Sequence, residues 1–182
     1  MNEIPLFAET YFMVDRNIIS QHLFFYYYDP SEVYQKFNET GALKGELETI
    51  QANLQYWIDK DDLYINQKKI RMMVKSVHFD FIKGNIKYPF LFFQINSEEF
   101  NHQDHSEIII ALYAQPESLP YSAISVWSCL NGTIIKVESN TYHQISEDQM
   151  QVIFYMIQSE TIGGKEKIHI GFKNDVNKDK IK

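Results

Sequence analysis

At 182 residues, with 45% apolar side chains, the chain can bury a hydrophobic core without disulfide or metal staples and is close to the usual size of one domain. Its longest apolar run, residues 108–114, falls far short of the roughly 20 residues a helix needs to cross a bilayer. The net charge of −7 works against binding to nucleic acid or to an anionic membrane surface, so neither is expected as a partner.

Aromatic residues make up 15% of the chain, which favours sheet surfaces over helices. The first residues lack the basic flank and apolar stretch of a secretory signal, and the lone Cys129 cannot build a disulfide framework, so a cytoplasmic location is expected. Charge is unevenly spread: residues 60–89 carry seven basic against three acidic side chains, while residues 90–164 carry one against nine. Lysines on exposed strands explain the basic stretch, because they keep sheet edges soluble.

In chain order, residues 5–13 and 18–27 are the first expected strands. In the second, Ile19, Leu23, Phe25 and Tyr27 should face the core, turning His22, Phe24, Tyr26 and Tyr28 outward. Asp29-Pro30-Ser31-Glu32 reads as a cap with proline in the first turn, so a short helix to about residue 37 follows. Residues 48–58 carry two periodicities. Leu47, Ile50, Leu54 and Trp57 recur at helical spacing, whereas Ile50, Ala52, Leu54, Tyr56 and Ile58 alternate with Gln51, Asn53 and Gln55. The alternation favours a strand, with Trp57 on its polar side.

Asp59, Asp61 and Asp62 read as a turn, because the glycine and distal glutamate of a calcium loop are missing. A meander follows, with a strand over 63–66, a turn at Lys68-Lys69 and a long strand from Ile70. That strand changes phase: Ile70, Met72 and Val74 alternate one way, Val77, Phe79 and Phe81 the other, which predicts a β-bulge near 74–77. His78 and Asp80 share one face and read as an outward polar face rather than an acid/base pair.

Strands over 88–95 and 107–114 are apolar on both faces, so a helix, a loop, a second subunit or a ligand must cover the second face. Between them, His102, His105 and Glu107 could ligate zinc, although a solvated loop explains the same residues. Asn131-Gly132 suits a two-residue type I′ hairpin in which both residues take positive φ. Its register places Val126, Ser128 and Leu130 in the core and Ser125, Trp127 and Cys129 on the other side, with Cys129 buried or half-buried. Strands over 151–158 and 167–172 end the fold, with Gly163-Gly164 turning the last hairpin.

These signals predict a mainly β protein: a single antiparallel β-sandwich or barrel-like domain of about ten strands and one or two short helices over residues 1–172, followed by a polar, flexible tail at 173–182. Phosphate-cradling glycine loops, nucleophile elbows and paired-histidine zinc helices are absent from the sequence, which lowers the odds of an enzyme, and no cofactor is expected. The expected function is a non-enzymatic binding or assembly module. Its outer aromatic strip, Phe24, Tyr26, Tyr28, Trp57 and Trp127, would meet a protein partner or a second copy in a homodimer. A carbohydrate- or small-ligand-binding sandwich is the alternative, and a metal-dependent enzyme built on the loop from His102 to Glu107 comes third.

Overall fold

The computed structural model describes residues 3–100 and 107–172. Among these, twelve strands form two stacked sheets of seven and five strands that do not close into a barrel, giving a β-sandwich. Sheet A has the order β10 (His143–Ile145), β11 (Gln151–Met156), β8 (Ser122–Cys129), β1 (Ile4–Val14), β2 (Ile19–Tyr28), β6 (Pro89–Ser97) and β5 (Met72–Phe81). Sheet B has the order β4 (Lys68–Ile70), β3 (Asp62–Ile65), β7 (Glu107–Ser118), β12 (Thr161–Phe172) and β9 (Gly132–Glu138). The pairing departs from a wholly antiparallel sandwich at one place: β1 and β8 run parallel, with Phe12 opposite Trp127. The core fills the space between the sheets, with Val14, Ile19, Phe93, Ile95 and Val152 from sheet A and Ile108, Ile110, Ile134 and Ile170 from sheet B fully enclosed. No helix is long and apolar enough to cross a membrane among the described residues.

The phase change in β5 is a bulge, with the register slipping between Val74 and Ser76 against β6. The expected meander is split between the sheets. The chain turns through Asn66 and Gln67, both at positive φ, pairs β4 with β3 in sheet B, then crosses at Arg71 into sheet A.

Residues 43–58 form a helix, α2 (Leu43–Ile58), not the expected strand. Its residues are mostly good helix formers, and Leu47, Ile50, Leu54 and Ile58 lie on one face against the core, so the alternating pattern was coincidental. Trp57, 61% exposed, stands at the solvent margin of this face beside the equally exposed Tyr56, and the Lys60 ammonium sits 3.9 Å from its ring centroid. The short helix expected after Asp29 is α1 (Val33–Thr40). The fully buried Asp29 accepts a 3.2 Å hydrogen bond from the Tyr34 backbone N–H, and the Tyr34 ring stacks on Phe79 of β5.

The glutamines of α2 have a structural task. The Gln55 side chain accepts from the Val74 backbone N–H at 2.7 Å and donates to the Met72 carbonyl at 3.1 Å, and Gln51 donates to the Val74 carbonyl at 3.2 Å. These amides occupy the free edge of β5 as a neighbouring strand would, which blocks edge-to-edge addition of another chain. Gln55→Leu, which keeps the size but removes the pairing, is expected to cost about 1–3 kcal/mol by stranding edge groups. A urea midpoint unchanged from the wild type would show that water replaces Gln55 at no cost.

The Asn131-Gly132 hairpin is not formed. Strand β8 pairs with β1 and β11, and β9 pairs with β12, so the segment between them carries the chain from one sheet to the other. Neither residue has positive φ. The core set of β8 is accordingly the reverse of the expected one: Ala123, Ser125, Trp127 and Cys129 point inward. In β9, Ile134 is buried and Ile135 is 58% exposed, at a break in register opposite His169 and Ile170. Gly163-Gly164 lies within β12 as a bulge against β7, with φ near 95° at both, rather than in a hairpin turn.

Candidate functional site

The outer face of sheet A is built by the alternation of its strands. Opposite the inward residues, β1 presents Glu9 and Tyr11, β2 presents His22, Phe24 and Tyr26, β6 presents Phe90 and Phe92, and β5 presents His78 and Asp80. Cross-strand pairing aligns Glu9, Phe24, Phe92 and His78 in one row, continued on the other side by Ile124 and Tyr155. Phe24 and Phe92 stack with centroids 4.7 Å apart, the edge of Tyr11 meets Phe24, and His22 and His78 contact Phe92. Glu9 accepts hydrogen bonds from the hydroxyls of Tyr26 at 3.2 Å and Tyr11 at 3.3 Å, and burial together with this carboxylate pushes the Tyr26 phenol up to about 12. Both helices pack toward the core, so no element lies over this face among the described residues.

Of the five aromatics expected in one strip, Phe24 and Tyr26 stand together in it. Tyr28 pairs with Tyr88 at the end of β2. Trp57 stands on α2, away from the sheet surface. Trp127 is only 5% exposed and stacks face to face on Phe12 at 3.8 Å between the sheets. Neighbours that single-strand patterning did not single out, Tyr11, Phe90 and Phe92, complete the strip. Only the strand order brings them to Phe24, and no local signal reports that order.

His102 and His105 lie outside the described residues. Glu107 begins β7 and its carboxylate stands 3.2 Å from Nδ1 of His169, within a charged group on sheet B that includes Glu138, Lys136 and Lys167. The two lysines hydrogen-bonded to Glu138 hold its carboxyl at about 2. Among the described residues no three metal-ligating side chains converge. Cys129 is buried as expected, and burial pushes its thiol up, away from reactivity.

A cavity of about 750 Å³ opens between the sheets. Small inward residues make the room. Thr10 and Ser125 are directly paired on β1 and β8, and Ala114 and Gly164 are directly paired on β7 and β12. Phe12, Trp127, Leu63, Ile70, Leu112 and Phe154 supply apolar walls. As a dry void, at roughly 24 cal/mol per Å³, it would cost about 18 kcal/mol, more than the roughly 5–15 kcal/mol that holds a domain folded. The space is therefore open to solvent or to a ligand.

No protein-family model matches the chain, and no curated protein is significantly similar to it.

Proposed function

We propose that the chain is a non-enzymatic assembly module that docks the outer face of sheet A onto a second copy of itself. The observation that carries this reading is the uncovered aromatic row through Phe24 and Phe92. Its composition is that of an interface centre: of the chain's 17 lysines and arginines, none is among the outward residues of β1, β2, β6, β8 and β11. Seven strands about 4.8 Å apart and six residues of about 3.3 Å rise define a face of roughly 600 Å² in projection, near the roughly 800 Å² per partner of a standard interface. The face also mixes acceptors such as Glu9 and Asp80 with the imidazoles of His22 and His78. A twofold pair can match these groups to each other, and twofold symmetry is the commonest closed arrangement.

Sedimentation at micromolar concentration is expected to give close to twice the 21.6 kDa chain mass. Phe92→Arg should shift the protein to monomer, because the arginine would be desolvated at the centre of the contact. Circular dichroism of the variant separates lost association from lost folding, and Phe24→Ser provides an independent variant on the same row. A wild type that stays monomeric throughout that range contradicts the proposal.

A further inference from the structure

The cavity between the sheets is independent of the outer face, and its chemistry restricts what can enter. Its floor is neutral and polar. The nine-tenths-buried Ser125 has no side-chain hydrogen bond among the described residues, and the Gln21 amide donates to the Thr10 hydroxyl at 3.0 Å, which leaves the Gln21 carbonyl oxygen free to accept. Around this floor the walls are apolar, with the Phe12–Trp127 stack beside it. The lip is charged, but not in favour of anions. Asp59, Asp61, Glu98 and Glu166 line it against Lys69 and Arg71. Lys69 is paired with Asp62, and the Arg71 guanidinium holds Asp59 at 3.0 and 3.1 Å, so both lip cations are already engaged.

We propose that this cavity is a binding site for a drug-sized, largely apolar, uncharged molecule whose hydrogen-bonding end sits against Ser125, Thr10 and Gln21. The volume lies within the roughly 300–1,000 Å³ of small-molecule sites, and an apolar lining with a few convergent polar groups is their usual composition. The acidic lip and its paired cations select against carboxylates and sulfonates.

The test uses the full chain with Trp57→Phe, which leaves Trp127 as the sole tryptophan. Neutral N-phenyl-1-naphthylamine is compared with its anionic relative 8-anilino-1-naphthalenesulfonate. The neutral probe should bind saturably at one site and quench Trp127, with affinity at least ten-fold tighter than the sulfonate. Ala114→Phe, which fills the cavity from sheet B, should weaken it at least ten-fold, while Phe24→Ser on the outer face leaves it unchanged. Failure of the neutral probe to quench Trp127, equal affinity for the sulfonate, or full affinity in a folded Ala114→Phe protein would each overturn the site. Should Ala114→Phe not fold, Trp127 quenching and the charge comparison in the otherwise unaltered chain decide it.

Discussion

Gly132→Val is expected to destabilise the protein by about 3 kcal/mol, and Gly132→Ala by about 1–3 kcal/mol, through overpacking. A Cβ built on Gly132 stands 2.5 Å from the backbone oxygen of Gly171, 2.9 Å from the Cys129 sulfur and 3.2 Å from Ile170. The nearest of these is backbone within the β12–β9 ladder, where Phe172 pairs with Gly132, so it cannot step aside as a flexible side chain could. The glycine is needed for close approach, not for φ. Asparagine distinguishes the two causes, because it tolerates positive φ but carries a Cβ. If crowding governs, Gly132→Asn should lower the urea midpoint about as far as Gly132→Val. A well-tolerated asparagine would restore the type I′ turn.

The same residue shows where local sequence signals stop. Asn131-Gly132 is a strong hairpin dipeptide, yet β8 is taken up by the parallel partner β1 on one side and by β11 on the other, which leaves β9 to the second sheet. Non-local pairing of this kind leaves no mark within a window of ten residues. The bulge in β5 was legible, because a slip of register reverses the alternation of a long strand and the reversal is visible in one segment. In β8 alternation could not correct the hairpin register, for a physical reason. The outward residues Ile124 and Val126 are more hydrophobic than the inward Ser125, since the outer face of sheet A is apolar and Ser125 lines the cavity. The inward face expected for β8 rested on the register of that hairpin, and it reversed once β8 paired with β1 and β11 instead. Helix α2 was misassigned because Gln51, Asn53 and Gln55 completed an alternating pattern, whereas Gln51 and Gln55 serve the edge of β5.

Trp127→Ala is expected to cost about 3–5 kcal/mol, the range for truncating a large buried aromatic. The indole is 5% exposed, and the face-to-face contact with Phe12 at 3.8 Å would be lost with it. Trp57→Ala provides the internal contrast. That ring is 61% exposed on α2 and touches chiefly Tyr56 and Lys60, so its removal should stay within about 0.5 kcal/mol. Denaturant titration of the two variants, followed by circular dichroism because the fluorescence signal changes with each, tests both values. The pair also separates the roles the two residues were first expected to share as outer anchors. An anchor on a docking face would change sedimentation and leave the monomer's stability nearly intact. Trp127→Ala should instead unfold the chain at lower denaturant and weaken uptake of the neutral probe, because the same side chain walls the cavity and joins β8 to β1. A stable Trp127→Ala protein whose only defect is in association would return Trp127 to the outer surface and reverse the inward face assigned to β8.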